Sequence, residues 1–306
     1  MDYSTTTVVG LDVSKDWLAA GALFPHSQQI RDVAKLPHDL QHLRRYVKRL
    51  ESPWPIVFVY EAGPCGYDLF RQITAMGHRC AVIAPSLMPK KPGDRVKTDR
   101  RDAEKLARYY RNGDLREIRV PTTGEEAARD LVRAREAALA DRLAAANRVQ
   151  KFLLRFGRLY EGASWTLAHR IWLGAQRFEH HSAQLAYDAH VRALEEAEAR
   201  IGVLSQHVFD LAGSEAYATT VKHLRALKGI DTLSAITLIT EVMDFRRFQK
   251  ARAMMGYTGM VPSEHTTSFN PRRGRITKTG NAHIRRILVE AALQYQRRSA
   301  LSKVLS

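Results

Sequence analysis

Four carboxylates stand out by their neighbours. Asp12 interrupts the apolar run VVGLDVS, Glu61 ends the apolar run IVFVYE, and Asp99 and Asp102 sit in KTDRRDAEKLA. A carboxylate in a buried strand is costly unless it meets a partner. Two like charges close together raise each other's pKa unless a cation intervenes. Residues three apart on a helix share a face, so Asp99 and Asp102 form a second pair. Oxygen-only donors of this kind suit Mg²⁺ or Mn²⁺ rather than zinc. Two such ions can activate an oxygen nucleophile and stabilise the leaving oxygen of a phosphodiester. Asp12, Glu61, Asp99 and Asp102 are therefore the candidate metal ligands and catalytic acids. Singly, each has a plainer reading: Asp12 as a turn residue with Ser14, Asp99 as a helix N-cap, Asp102 as an acid favoured by the helix dipole. Their order along one domain is what points to metal.

Cations flank the acids and recur near the C-terminus. Lys97, Arg100, Arg101 and Lys105 could hold a phosphate backbone beside the carboxylates, although any one of them alone reads as a solvated helix charge. Residues 256–292 read GYTGMVPSEHTTSFNPRRGRITKTGNAHIRRILVEAA. Between Asn270 and Arg286 this stretch holds six cations, Arg272, Arg273, Arg275, Lys278, Arg285 and Arg286, and no acid. Its glycines and prolines predict a loop that passes into an amphipathic helix near Asn281, a plausible nucleic-acid surface. The hydroxyls of Thr266, Thr267 and Ser268 lie just before it. Hydroxyls beside cations can act as nucleophiles, because the cations stabilise the alkoxide and a phosphoryl transition state. From composition alone, a phosphate-binding or inert loop is the commoner outcome.

The elements that must position these groups are legible in outline. TVVGLDVS, WLAAGALF and QIRDVAKL predict three strands in a meander. A helix over 38–50 opened by Pro37, the strand IVFVYEA, a helix over 66–76, the strand CAVIAP and a helix from Asp99 follow. The order β-β-β-α-β-α-β predicts a mixed sheet with helices on its faces and resembles a ribonuclease-H-like fold. From Glu125 to Leu211 the chain is rich in Ala, Leu, Glu and Arg. Val191, Leu194, Ala197, Ile201, Leu204, Val208 and Leu211 recur at helical spacing, and Leu131, Ala134, Ala138, Ala145, Val149, Phe152 and Phe156 do so less cleanly. A helical hairpin and an intermolecular coiled coil fit these stripes equally, with a turn around Gly157 and residues 160–182. LRALKGIDTLSAITLITEV predicts helix, tight turn at Gly229, helix. This resembles a helix-hairpin-helix that offers backbone N–H groups to phosphate, with Asp231 where a second glycine is usual.

The 306 residues carry a formal net charge of +16 and 45% hydrophobic residues. That charge favours a polyanionic partner and says little about fold. No apolar run reaches the ~18–20 residues of a membrane span, and MDYSTTT lacks the pattern of a secretory signal. Cys65 and Cys80 show no metal or redox spacing, so a reducing, cytoplasmic setting is expected.

GLDVSK, VYEAG, KTDRRDAEKLA, LKGI, GMVP and RRGRITKTGNAHIRRILVEAA occur in that order. Together they resemble the DEDD-type insertion-sequence transposases of the bridge-RNA-guided "IS one-ten" family, from about Val8 to Tyr295. The resemblance implies three parts: a RuvC-like DEDD catalytic domain over 1–121, a helical coiled-coil insertion over 122–215 and a C-terminal transposase domain over 216–306. It implies that Asp12, Glu61, Asp99 and Asp102 form the acidic tetrad and that a C-terminal serine attacks DNA. It also implies a homo-oligomer, dimer or tetramer, acting on element ends and target DNA under a guide RNA. The family has Ser-Gly where this chain reads Thr-Thr-Ser-Phe. A gapless match places Thr267 on the serine, and a shift by one residue makes Ser268 the nucleophile. Ser268 is favoured because a primary hydroxyl is less hindered.

Two other readings compete with a metal-dependent recombinase. An actin-like kinase shares the acidic first strand, but no second Gly-rich phosphate loop is evident. A catalytically inactive nucleic-acid-binding multimer, a decayed copy, fits the bulk of Phe269 and an end at Ser306 where relatives commonly continue.

Overall fold

The computed structural model describes residues 5–85, 98–267 and 270–296. The chain divides into two compact units, 1–120 and 121–306.

The first unit is built on a five-stranded sheet of order β3-β2-β1-β4-β5. Strands β1 (Thr7–Val13), β2 (Trp17–Leu23) and β3 (Ile30–Pro37) form the antiparallel meander. Helix α1 (Leu40–Leu50) leads to β4 (Ile56–Glu61), which pairs parallel to β1, and α2 (Asp68–Ala75) leads to β5 (Arg79–Ile83), parallel to β4. Helix α3 (Asp99–Arg111) completes the unit. Pro37 ends β3 and does not open a helix; the carboxylate of Asp39 caps α1 by accepting from the His42 N–H at 2.8 Å.

Both sheet faces are covered, which explains why β1 and β4 read as unbroken apolar runs. Alternate residues feed opposite layers. Val9, Leu11, Phe58 and Tyr60 pack with Leu43 and Tyr46 of α1 and Leu69 and Ile73 of α2. Val8, Val57 and Val59 pack with Leu106, Ala107 and Tyr110 of α3.

The second unit begins with a helical hairpin. Helix α4 (Thr123–Arg155) starts at a capping box made by Thr122 and Glu125, α5 (Leu167–Gly174) lies at the tip, and α6 (His181–Gly213) returns. At 33 residues each, the arms are about 50 Å long. The two stripes meet each other within this chain: Ala145, Val149 and Phe152 cluster with Tyr187 and Leu194, and Val132 clusters with Val208 and Ala212. Ala134 and Phe156, placed on the stripe by spacing, are exposed, and Val132 takes the buried place.

Helices α7 (Ala218–Arg225), α8 (Thr232–Val242) and α9 (Ala251–Thr258) follow, then strands β6 (Pro262–Thr267) and β7 (Asn270–Ile276), then α10 (Ala282–Gln296). The basic segment expected as a loop is thus an antiparallel hairpin, with Thr267 paired to Asn270. Pro262, Pro271 and Gly274 mask it in sequence, because strands carrying them read as loop.

Candidate functional site

The four acids come from three elements of the first unit. Asp12 is the sixth residue of β1 and is half-buried, Glu61 ends β4 and is exposed, Asp99 opens α3 and is exposed, and Asp102 is half-buried one turn later. The burial expected for Glu61 is therefore absent. The strand ends just where the sheet reaches solvent. β1 and β4 run parallel with Leu11 opposite Tyr60, so Asp12 and Glu61 are the next residues along. Residue parity puts both on the face that carries Val8, Val57 and Val59, the face covered by α3.

A glycine brings α3 to this sheet end. Gly10 pairs with Gly21 of β2, and a Cβ at Gly10 would lie 2.0 Å from the Ala103 carbonyl oxygen and 2.9 Å from the Ala107 nitrogen. The helix backbone rests directly on the strand backbone there. The C-terminal half of α3 packs with Val8, so its first turn points toward the Asp12 end of β1. About 6 Å of helix and about 7 Å of strand separate Asp99 and Asp12 from the Ala103–Gly10 contact. Gly10 was not recognised in the sequence, although a glycine inside an apolar strand is the signal for such an approach.

The start of α3 is capped by Thr98, whose hydroxyl accepts from the Arg101 N–H at 3.3 Å, so neither Asp99 nor Asp102 is the N-cap. Asp102 Oδ1 lies 3.7 Å from Lys105 Nζ, and Arg100 Nε donates to Glu104 at 3.0 Å. Among the described residues, no group of three or more His, Cys, Asp or Glu side chains is gathered closely enough to hold a metal ion. The backbone thus brings the acids to one end and face of one layer, and their carboxylates do not converge as placed. Lys97 lies outside the described residues.

In the second unit, Ser268 lies outside the described residues, and Thr267 ends β6. The cations split into two groups. Arg272, Arg273, Arg275 and Lys278 are exposed on β7 and just after it, with Arg273 Nε 4.0 Å from Glu264 Oε2. Arg285 and Arg286, expected to face nucleic acid, both make hydrogen bonds within the protein, Arg285 half-buried and Arg286 still exposed. Arg285 donates to the Thr258 and Lys278 carbonyls at 2.8 and 3.2 Å, and Arg286 donates to Glu136 at 2.6 Å. The turn at Gly229 faces inward: a Cβ there would lie 2.9 Å from the Ala291 Cα and carbonyl oxygen. Asp231 caps α8, accepting from the Ser234 N–H at 2.7 Å, and so fills the helix end with a carboxylate of its own.

Sequence reasoning missed Glu241. It lies in the apolar helix α8 at 2% exposure. Arg133 grips its carboxylate with two hydrogen bonds of 2.7 and 2.9 Å, and the Asn281 side-chain amide adds a third at 2.6 Å. Burial pushes the Glu241 carboxyl up, but Arg133 and Asn281 outweigh it and hold it below its ordinary value. A lone acid in SAITLITEV was the available signal, since such an acid needs a partner.

Comparisons with known proteins identify the family. A family model described as "Transposase IS116/IS110/IS902 family" matches residues 221–304, and a DEDD transposase model of the IS110 group matches residues 9–157. The protein y4qE of Sinorhizobium fredii, which carries a transposase name, is 40% identical over 291 residues, covering 94% of this chain and 71% of its own. The transposase for insertion sequence element IS1533 of Leptospira borgpetersenii is 30% identical over 303 residues, 97% of this chain and 88% of its own. The transposase for element IS1328 of Yersinia enterocolitica is 24% identical, covering 95% and 84%. The chain belongs to the IS110/IS116/IS902 family of insertion-sequence transposases.

Proposed function

We propose that this transposase cuts and rejoins DNA with two half-sites, an acidic one on the first unit and a hydroxyl on the second. The observation that carries the acidic half is the Gly10–Ala103 approach, which aims the first turn of α3 at the sheet end bearing Asp12 and Glu61. The donor set is all oxygen and fits a hard divalent ion, Mg²⁺ or Mn²⁺, held by Asp12, Glu61, Asp99 and Asp102. Such an ion would activate an attacking oxygen and stabilise a leaving one. The side chains would have to close around it, with Asp102 leaving Lys105. Exposed Arg100 and Arg101, together with Lys97, would lie along the DNA backbone beside the acids.

The second half would come from the residues that join β6 to β7. Ser268, or Thr267 beside it, would attack a phosphodiester: its oxygen bonds to phosphorus, its proton passes to a base, and the DNA hydroxyl leaves. Arg272, Arg273, Arg275 and Lys278 on β7 would hold the phosphates of that strand. The guide RNA and a homo-oligomer complete the reading, on family resemblance.

The test is strand cleavage of element-end DNA by the full chain with Mg²⁺ and the RNA from the element's non-coding flank. Asp12→Ala and Asp102→Ala should each abolish cleavage while leaving DNA binding within about twofold. Wild-type rates in either would sink the acidic half. Ser268→Ala should also abolish the covalent protein–DNA adduct; an adduct that persists there and vanishes in Thr267→Ala moves the nucleophile by one residue.

A further inference from the structure

The polar residues of the NAHIRR stretch, whose Arg285 and Arg286 the sequence offers to DNA, bond to groups of the same chain and build a clamp. Asn281 donates to the buried Glu241 at 2.6 Å and also caps α10, accepting from the Ile284 N–H at 3.1 Å. Arg133 of α4 grips the same carboxylate. One turn along α4, Glu136 receives both His283 and Arg286 of α10. Arg285 reaches back to the Thr258 and Lys278 carbonyls.

The clamp closes on the base of the β6–β7 hairpin. The Thr277 N–H donates to the Val261 carbonyl at 2.9 Å, the Lys278 N–H to the Gly259 carbonyl at 3.0 Å, and the Asn281 N–H to the Tyr257 carbonyl at 3.2 Å. The Tyr257 hydroxyl in turn donates to the Glu241 carbonyl at 3.2 Å. Two glycines permit this crossing: a Cβ at Gly259 would lie 2.4 Å from the Thr279 carbonyl oxygen, and one at Gly280 would lie 2.1 Å from the Tyr257 carbonyl oxygen.

We infer that Glu241, held by Arg133 and Asn281, is a positioning residue for the reacting hydroxyl: it fixes the base of the hairpin whose first strand ends at Thr267, next to Ser268 in sequence. The inference rests on the proposed nucleophile. Glu241 touches no substrate. It sets where β7 leaves the helical core, and a two-stranded ribbon of mainly polar residues has little apolar packing to aim it. A buried carboxylate held in place by Arg133 suits this task, because any displacement of the hairpin base takes the Asn281 amide away from a charge in an apolar helix. An error of about 1 Å at the reacting group can cost on the order of 100-fold in rate.

The experiment uses the full chain with element-end DNA and Mg²⁺, comparing wild type with Glu241→Gln, Arg133→Met and Arg133→Lys. Amide hydrogen exchange at Thr277, Lys278 and Asn281 should rise about tenfold or more in Glu241→Gln and Arg133→Met, with the α4–α6 hairpin unchanged. Single-turnover cleavage should fall about 10- to 100-fold at unchanged DNA affinity, and Arg133→Lys should recover part of the rate. Unchanged exchange at those amides, or exchange rising equally over residues 121–306, would overturn the positioning role. Faster exchange at the hairpin base with a wild-type cleavage rate would instead remove the nucleophile from the hairpin, and the role in cleavage with it.

Discussion

Glu241 shows how a single group's environment becomes a measurable property. Its folded-state carboxyl titrates below the ordinary 4.5. The stability it contributes is therefore present above that value and is lost as pH falls through the depressed one. Thermal unfolding of the wild type should lose more stability between about pH 6 and pH 3 than unfolding of Glu241→Gln, which has no carboxylate to protonate there. Equal losses would mean that the Arg133 pair does not form. The arginines of the C-terminal segment divide by the same logic. Arg285→Ala removes two hydrogen bonds to carbonyls and should cost about 1.5–3 kcal/mol of stability in denaturant titrations. It should leave the salt dependence of DNA binding unchanged. Arg272→Ala, Arg273→Ala and Arg275→Ala should do the reverse: stability stays within about 0.5 kcal/mol, and the slope of log affinity against log salt shrinks by about 0.9 for each phosphate the protein no longer neutralises.

At the scale of elements, the placement of α3 is the sharpest test of the acidic half. Gly10→Ala puts a methyl group within 2.0 Å of the Ala103 carbonyl oxygen, so the helix must lift. Overpacking of this kind costs about 1–3 kcal/mol. Cleavage should fall with it, although no carboxylate has changed. Gly124 is the control: nothing lies within 4 Å of a Cβ there, and Gly124→Ala in the first turn of α4 should stabilise by up to about 1 kcal/mol. Urea titration of both variants reads the contrast directly. A harmless Gly10→Ala would mean that α3 does not seat on β1 as described. The strands were legible as short apolar runs, unbroken in β1 and β4, and the two long helices because their apolar residues recur with a period of about 3.6. The β6–β7 hairpin was not, because its strands carry Pro262, Pro271, Gly274 and a run of arginines and have almost no apolar residues to alternate. The cap of α1 was misread for a local reason: Pro37 resembles a helix start, but the side chain that accepts the free N–H is that of Asp39.

For the molecule as a whole, the +16 charge fits an enzyme whose substrate is DNA, and family membership now supplies that substrate. No helix among the described residues is long and apolar enough to cross a membrane. Unit 1 holds the candidate acids and unit 2 the candidate hydroxyl and the basic ribbon. Full activity should therefore need both, and Asp12→Ala mixed with Ser268→Ala offers a direct reading. Recovery of cleavage in the mixture, absent from each alone, would show that the two halves complement between chains of an oligomer. No recovery would mean that one chain must supply both.

The sequence by itself determined the element order of the sheet, the helical stripes and the family, and it nominated the four acids. These depend on residue type and on neighbours a few positions away. Only the tertiary structure decided that the stripes close on each other as one hairpin, that a Gly10–Gly21 pair lets α3 approach β1, and that Arg285 and Arg286 find partners within the chain. It also decided that Glu241 is the hub of a clamp reaching from Arg133 to Asn281, 148 positions apart in the chain. The reason is physical: a charged side chain exposes its type in sequence, but whether it meets water, phosphate or a buried partner depends on which distant segments the fold brings beside it.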